Sequence, residues 1–231
     1  MKQNIAIIPA RGGSKEIPRK NLKFIYGKPL LAHSIEAAKS STCIERVIVS
    51  TDDEEIAGVA EKYGAEVVMR PESLSTDDSP SEEALIHTVE TLEKTASLEI
   101  GFIVFLQATS PIRPDGVINE CLKKLADNNG DSLLTVTLDH LFYWREELGA
   151  GKSVHNYQVR PMRQQAKKEE LIYKENGSIY IMKRDILMKE RDRLGGKIIL
   201  FPMRYEDSFG IDSEFDFWLT ERVFEWKNLK K

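Results

Sequence analysis

The chain has 231 residues, of which 41% are hydrophobic and 30% are charged. This length and composition predict a globular protein of one large domain, with no apolar run long enough to cross a membrane and no signal peptide. The formal net charge of −4 argues against a general nucleic-acid-binding protein, so a basic segment within the chain should serve a small anion.

The first predicted element is a strand at residues 5–8, which is followed by a glycine-containing loop. The run is too short and too rich in branched side chains for a helix. Gly12 and Gly13 allow the loop to turn sharply and to approach a ligand closely. Between positions 11 and 28 the sequence has one acid, Glu16, and six basic residues: Arg11, Lys15, Arg19, Lys20, Lys23 and Lys28.

Loop amides and fixed cations are what a polyphosphate needs, so this loop is a candidate phosphate-binding site. Its position at the end of the first strand of an α/β chain favours that interpretation. Neither of two common phosphate patterns, G-x-x-x-x-G-K-[ST] and G-x-G-x-x-G, is present. A basic loop that is only solvated therefore remains the alternative.

The next segments alternate between helix and strand. Helical spacing covers residues 29–39, and a second helix runs to about residue 63, with Asp52 or Asp53 as its cap and Gly64 as its end. Short buried strands are predicted at residues 46–51 and 66–69. This order predicts a parallel sheet with right-handed crossovers and helices on both faces.

Two polar segments follow the third strand. Arg70 leaves that strand directly, and the residues 79–82 have the sequence Ser-Pro-Ser-Glu, the pattern of a capping box that opens a helix to about residue 94. The simplest interpretations are an exposed arginine, held extended by the proline after it, and serines that only cap a helix.

The most apolar run, residues 101–106, is the predicted central strand, and Gln107 leaves its C-terminal end, where open α/β sheets place ligands. A helix at residues 114–128 and a strand at 132–137 come next. The alternation then breaks down until residue 171, in a segment of aromatic and basic residues: His140, Trp144, Tyr157, Arg160, Arg163, Lys167 and Lys168. Such a mixture can bind nucleic acid, but the acidity of the whole chain argues against it.

The C-terminal part returns to regular structure. Strands are predicted at residues 177–182 and 197–201, with a helix at 183–191 between them. Ser213 and Asp216 are positioned to cap a final amphipathic helix, whose apolar positions include Phe217, Leu219 and Trp226.

Several of these motifs resemble one known family. The sequence Ile-Ile-Pro-Ala-Arg-Gly-Gly-Ser-Lys at residues 7–15, followed by Pro-Arg-Lys-Asn at 18–21, is similar to the signature loop of the CMP-sugar synthetases that activate nonulosonic acids. These are the acylneuraminate cytidylyltransferases, of sialic, legionaminic or pseudaminic acid type. The similarity extends to residues 70–71, 106–113 and 176–181, so it covers most of the chain.

The resemblance implies a fold and an assembly. The expected fold class is α/β, with a three-layer, mostly parallel Rossmann-like sheet of the nucleotide-diphospho-sugar transferase type. Residues 1–231 would form a single nucleotidyltransferase domain. Within it, about residues 138–182 would contain a small dimerisation and acceptor-site extension that covers the partner's cleft in a homodimer.

The resemblance also implies site residues. Nucleotidyl transfer requires a bound triphosphate, an accessible α-phosphorus and neutralisation of the leaving pyrophosphate. The expected catalytic residues are Arg11, Lys20, Arg163 and Asp212. Those expected to bind CTP are Ala10, Arg11, Gly12, Gly13, Ser14, Lys15, Asn21, Arg70, Ser79 and Ser81. Acceptor contacts are expected from Gln107, Arg163 and Lys174, with Arg163 binding the sugar carboxylate as a fork.

The expected cofactor is Mg²⁺ or another divalent cation, bridging phosphate oxygens through carboxylate ligands. The family usually has two aspartates separated by one residue before the last helix. In this chain the first is replaced by Gly210, so Asp212 is the expected metal ligand, and it is also a candidate cap or pre-cap residue for that helix. Lys174 stands where many relatives have an arginine, which leaves the identity of the nonulosonic acid open.

The function predicted from these residues is transfer of CMP from CTP to the anomeric hydroxyl of a nonulosonic acid, a sialic acid-like sugar, with release of pyrophosphate. One alternative is CTP-dependent activation of the eight-carbon keto-deoxy acid, whose expected central motif is of Gln-Gly-Asp type. A non-catalytic nucleotide-binding protein is less favoured, because Gln107, Arg163 and Asp212 occur together. An NAD-dependent oxidoreductase would need a dinucleotide fingerprint, which is missing.

The expected partners are CTP, the sugar and a second copy of the chain, with no nucleic acid and no membrane. Cys43 and Cys121 are isolated and lack metal-ligand spacing, so they indicate reduced thiols and a cytoplasmic location.

Overall fold

The computed structural model describes residues 2–96, 98–139, 143–154 and 171–229. The strands in chain order are β1 (Gln3–Pro9), β2 (Phe24–Ile25), β3 (Lys28–Pro29), β4 (Arg46–Thr51), β5 (Glu66–Met69), β6 (Ile100–Leu106), β7 (Ser132–Asp139), β8 (Trp144–Glu147), β9 (Ala150–Ser153), β10 (Ile172–Lys183) and β11 (Ile198–Met203). The α-helices are α1 (Leu30–Lys39), α2 (Glu54–Lys62), α3 (Ser81–Ala96), α4 (Val117–Asp127), α5 (Arg184–Glu190) and α6 (Glu214–Asn228).

The main sheet has seven strands in the order β11-β7-β10-β6-β1-β4-β5. All neighbouring pairs in it are parallel except those of β10, which runs antiparallel to both β6 and β7. This confirms the predicted mostly parallel α/β sheet. The short pairs β2–β3 and β8–β9 form separate two-stranded sheets.

Helices cover both faces of the sheet, because successive side chains of a strand point to opposite sides. In β1, Ala6 and Ile8 belong to a core that includes α1 and α4, while Ile5 and Ile7 belong to a core that includes α3 and α5. Both cores consist of buried and mainly aliphatic residues. The layers therefore fix the positions at which β1 and β6 end, and the polar segments that follow these ends form the site described below.

The strands predicted at residues 46–51 and 66–69 are β4 and β5, with the predicted bounds. Helix α2 is capped by Asp53, one of the two expected caps, since its Oδ1 accepts from the amides of Glu55 and Ile56 at 3.0 and 2.9 Å. The capping box predicted at residues 79–82 is wrong. The Ser79 hydroxyl bonds instead to the Thr76 hydroxyl at 2.8 Å, because the chain turns back on itself before α3 begins.

The final helix begins with the predicted capping box. Ser213 Oγ accepts from the Asp216 amide at 3.2 Å, and Asp216 Oδ2 accepts from the Ser213 amide at 2.8 Å. Its apolar face is only partly covered: Phe217 packs on a small core around Ile17, whereas the Trp226 ring is 41% exposed.

The predicted dimerisation extension is described only in part. Its described residues include the β8–β9 hairpin, which is almost entirely exposed, and the first half of β10, which pairs with the end of β7. The single-domain organisation and the dimer remain predictions. No helix in the described ranges is long and apolar enough to cross a membrane.

Candidate active site

A cleft of about 430 Å³ opens where β1 and β6 end. Most of the residues predicted to bind CTP line it: Arg11, Ser14, Lys15, Asn21, Arg70, Ser79 and Ser81. Of the others, Ala10 is buried at the end of β1, and Gly12 and Gly13 form the backbone of the loop. The predicted catalytic residues Lys20 and Asp212 also line this cleft, which we call the nucleotide cleft.

A second cleft of about 660 Å³ adjoins the first, and we call it the acceptor cleft. Its walls come from the end of β7, the first half of β10 and the segment before α6. Three residues line both clefts: Gln107, Thr109 and Asp212. The arrangement therefore places one ligand on each side of a shared junction.

The predicted acceptor residues are only partly described. Gln107 and Lys174 line the acceptor cleft, with Lys174 on β10 paired with Thr137 of β7. Arg163, which was assigned both a catalytic and an acceptor-binding role, lies outside the described residues. The same holds for His140, Tyr157, Arg160, Lys167 and Lys168.

The loop after β1 is packed against the start of α2. The Gly12 amide donates to Asp52 Oδ1 at 3.2 Å, and a Cβ at Gly12 would lie 2.6 Å from Asp53 Oδ2. Neither Gly12 nor Gly13 has a positive φ, so the sharp turn expected from the sequence is not the reason for these glycines. At Gly12 the reason is the close approach of the loop to Asp53.

The Arg70 residue is 7% exposed, so the interpretation of it as an exposed arginine is wrong. Its Nε donates to Ser75 Oγ at 2.7 Å, and its Nη2 lies 3.8 Å from Asp52 Oδ1. Burial lowers the pKa of this guanidinium below its ordinary value, and the nearby Asp52 opposes the shift. A cation fixed in a wall of the cleft suits an anionic or polar ligand.

Lys20 and Asp212 meet at the junction of the clefts. Lys20 Nζ donates to the carbonyl of Ile211 at 2.8 Å and lies 3.9 Å from Asp212 Oδ1. The Lys20 side chain is only 13% exposed, and this burial lowers its pKa, whereas the Asp212 side chain is 92% exposed. A carboxylate so fully hydrated is free to bind a cation from either cleft.

Gln107 is positioned by an arginine that sequence reasoning missed. The Arg113 guanidinium donates to the carbonyls of Gln107 and Ser178, each at 2.8 Å, and so joins the end of β6 to β10. Burial lowers the pKa of Arg113 to about 9. The only signal in the sequence was its place at the end of the motif at residues 106–113.

A glycine gives room for the Gln107 side chain. Gly177 has a φ of +68°, in the left-handed region that favours glycine, and a Cβ there would lie 2.8 Å from Gln107 Oε1. Gly177 lies within the register shift of β10 between Glu175 and Tyr180. The irregular strand therefore exposes Lys174 and Asn176 to the acceptor cleft beside Gln107.

The carboxylates of the site decide whether it can hold a metal ion. The described residues contain no group of three or more histidine, cysteine, aspartate or glutamate side chains that could hold an ion. The Asp216 carboxylate is occupied by the amides of Asp212 and Ser213, which leaves Asp212 as the hydrated carboxylate at the junction. This donor set fits a divalent cation that takes its other ligands from phosphate and water, as Mg²⁺ does.

Comparison with known proteins finds similar chains along nearly the whole sequence. The family model described as cytidylyltransferase matches residues 5–231. The CMP-N,N'-diacetyllegionaminic acid synthase of Legionella pneumophila is 35% identical over 227 residues, which cover 96% of each chain. An N-acylneuraminate cytidylyltransferase of Escherichia coli is 33% identical over 242 residues, which cover 98% of this chain and 53% of that protein.

A solved structure gives the same fold. CMP:2-keto-3-deoxy-manno-octonic acid synthetase, solved in complex with CTP, aligns with a TM-score of 0.71 over 98% of this chain and 100% of that one, at 20% identity. At this identity the likeness concerns the fold alone. The two chains therefore share their overall fold along nearly their whole length.

Proposed function

Because the chain belongs to the cytidylyltransferase family, we propose that it transfers CMP from CTP to the anomeric hydroxyl of a nonulosonic acid, a sialic acid-like sugar. The observation that carries this proposal is the meeting of the nucleotide cleft and the acceptor cleft at Gln107 and Asp212. Two substrates bound on either side of that junction would bring the sugar hydroxyl against the α-phosphorus of CTP.

The reaction balances without an additional reactant. The anomeric oxygen loses its proton to solvent and forms a bond to the α-phosphorus, while the bond from that phosphorus to the bridging oxygen breaks and its electron pair leaves with pyrophosphate. The products are the CMP-sugar and pyrophosphate. The barrier depends on alignment of the two oxygens and on neutralisation of the leaving pyrophosphate, since little covalent chemistry falls to the protein.

The phosphate-binding role is assigned to the loop after β1. Arg11 and Lys15 bring charge to the nucleotide cleft, and the buried Lys20 places a third cation at the junction. Arg11 and Lys20 would stabilise charge on the phosphates as the bond breaks. Arg70, Ser79 and Ser81, which line the same cleft, are assigned to the base and the ribose.

The acceptor-binding role is assigned to Gln107, Lys174 and Arg163. Gln107 is supported by its place at the junction, where Arg113 and Gly177 fix its backbone and leave space for its amide. Lys174 offers a point charge and Arg163 a fork for the carboxylate of the sugar. Arg163 rests on the sequence resemblance alone.

Cytidylyltransferases of this kind generally need a divalent cation, and we propose that Mg²⁺ is the cation here. When bound, it would neutralise charge on the phosphate oxygens. Asp212 would be its protein ligand, with Lys20 beside it. The proposal also includes a homodimer and a cytoplasmic location, where CTP is available.

The experiment is an assay of pyrophosphate release by the whole chain with CTP, Mg²⁺ and a panel of keto acids. The panel contains N-acetylneuraminic acid, a diacetylated legionaminic acid, a pseudaminic acid and the eight-carbon keto-deoxy acid. We expect release that requires both CTP and one of the nine-carbon acids. Release with the eight-carbon acid alone would favour the second candidate, which the fold of its synthetase supports. No release with any acid would contradict the proposal.

A further inference from the structure

We propose that Asp77 competes with the phosphates of the nucleotide for Arg11 and Lys15, and that it thereby weakens binding of CTP and promotes release of pyrophosphate. The inference rests on the proposed function, because it requires those two cations to bind phosphate. Asp77 was not among the site residues predicted from the sequence, where it is one of two adjacent aspartates before a Ser-Pro-Ser segment.

The carboxylate of Asp77 bridges the two cations. Its Oδ1 lies 2.8 Å from Arg11 Nη2, and its Oδ2 forms an ion pair with Lys15 Nζ. The other terminal nitrogen of Arg11 donates to the carbonyl of Thr76 at 2.7 Å. Each oxygen thus has its own cation, which is the arrangement that two oxygens of a phosphate group would adopt.

All the groups in this arrangement line the nucleotide cleft: Arg11, Lys15, Thr76 and Asp77. A phosphate that binds the same Arg11 and Lys15 nitrogens takes the place of the carboxylate, because two anions on the same pair of cations repel each other. The hydrogen bond from Lys15, together with the charge of Arg11, lowers the pKa of Asp77. The carboxylate therefore stays ionised at neutral pH and competes as an anion.

Asp77 belongs to the segment between β5 and α3, which also lines the nucleotide cleft with Ser75, Thr76 and Ser79. Asp77 lies between Arg70, which bonds to Ser75, and Ser79, which bonds to Thr76. Its contacts with Arg11 and Lys15 join this segment to the loop after β1 across the cleft. Displacement of Asp77 by phosphate removes these two contacts and leaves the hydrogen bond from Arg11 to Thr76 in place. Return of the Asp77 carboxylate to the two cations expels pyrophosphate after transfer.

The size of the effect follows from exposure. The side chains of Arg11 and Asp77 are about a third exposed, and that of Lys15 is more so. Exposed ion pairs are individually weak, so removal of the competitor should tighten phosphate binding by roughly three- to tenfold rather than by orders of magnitude. If the ion pairs of Asp77 with the two cations were much stronger, the nucleotide could not displace the carboxylate. If they were much weaker, the carboxylate would not assist release of pyrophosphate.

The test is calorimetric titration of the whole chain with inorganic pyrophosphate, CTP and cytidine, for wild type and two variants. Asp77→Asn removes the competing charge and keeps the shape of the side chain. Asp78→Asn changes the net charge equally, and Asp78 is exposed and has no ion pair with any residue that the structure describes. It therefore serves as the matched control.

We expect Asp77→Asn to bind pyrophosphate and CTP roughly three- to tenfold more tightly than wild type, with cytidine unchanged. Asp78→Asn should change pyrophosphate binding by less than about twofold. The inference is overturned if Asp77→Asn binds pyrophosphate no more tightly than wild type, or if both variants gain equally. A wild-type chain that binds neither pyrophosphate nor CTP would instead contradict the proposed function, and the inference with it.

Discussion

Asp212 shows what one residue contributes to this site. Its side chain is 92% exposed, so its substitution leaves the packing of the protein unchanged, yet its carboxylate lies at the junction of the two clefts. We predict that Asp212→Asn lowers kcat by about 10²-fold or more, the scale at which loss of one electrostatic partner acts. Steady-state kinetics at saturating CTP, with a thermal melt to show intact folding, measure the effect. Full activity would mean that the metal is held elsewhere.

Gly210 allows the opposite experiment. Its φ is not positive, and the nearest atom to a Cβ there is Ser110 Oγ at 3.8 Å, an ordinary contact, so the backbone accepts a side chain. We predict that Gly210→Asp lowers the Mg²⁺ concentration needed for half-maximal activity, because a second carboxylate joins Asp212. Gly210→Asn is the neutral control. An equal shift in both variants, or none in either, would contradict the expectation.

His33 makes stability depend on pH. It is buried beneath the Phe224 ring, its Nε2 lies 2.9 Å from the carbonyl of Ile25, and burial lowers its pKa to about 4. The charges of Lys28 and Arg113 lower that pKa further and Glu36 opposes them. In the unfolded chain the imidazole binds a proton near pH 6.5, so the unfolded state gains protons first as the pH falls.

We therefore predict that the free energy of unfolding decreases by up to about 3 kcal/mol between pH 6.5 and pH 4 on account of His33. Above pH 6.5 this contribution is fully present. Urea denaturation at several pH values, for wild type and His33→Gln, measures it. The variant should show a smaller slope over this range, and identical slopes would contradict the assignment.

At the scale of elements, the position of the loop after β1 depends on its contact with the start of α2. A Cβ at Gly12 meets Asp53 Oδ2 at 2.6 Å, while a Cβ at Gly13 has nothing within 4 Å. We predict that Gly12→Ala lowers the free energy of unfolding by roughly 1–3 kcal/mol, because Asp53 must move from its capping position. Gly13→Ala should be neutral or stabilising. Thermal melts of the two variants give the comparison, and equal stabilities would contradict it.

Several of the helices and strands could be predicted from the sequence. The strands at Arg46–Thr51 and Glu66–Met69 follow from short branched runs, and α2 from its aspartate cap and terminal glycine. The direction of β10 could not be predicted, because an apolar run carries no information on whether its neighbours are parallel. The capping box at 79–82 failed because a nearby hydroxyl, that of Thr76, took the place of the helix amides as the partner of Ser79.

Within the site, the residues that could be predicted from the sequence were those that belong to a recognisable motif. Arg11 and Lys15 lie in the loop after β1, and Gln107 directly follows β6, at positions where ligand-binding loops are expected. Asp77 and Arg113 were missed because their roles depend on partners far along the chain: Arg11 for the first and Ser178 for the second. A single sequence does not contain these pairings.

The whole molecule combines two clefts on one edge of a sheet. The ends of β1 and β6 carry the loop and Gln107, and the antiparallel β10 brings the acceptor wall beside them. The fold thus sets the order of the two clefts: the nucleotide cleft lies where β1 and β6 end, and the acceptor cleft lies on the β10–β7 side.

Transfer to the anomeric oxygen is tested most directly by following that atom. The nonulosonic acid is equilibrated in water enriched in oxygen-18, which labels the anomeric hydroxyl through the open-chain ketone, and the whole chain then acts on it with CTP and Mg²⁺ in the same water. Mass spectrometry should find the label in the CMP-sugar and none in pyrophosphate. When the bond between the sugar carbon and the anomeric oxygen is fragmented, the label should appear in the CMP fragment, and an unlabelled CMP fragment would show attack by another hydroxyl of the sugar. Labelled CMP without a sugar would show attack by water, and labelled pyrophosphate would show attack at the β-phosphorus, and either result would contradict the account.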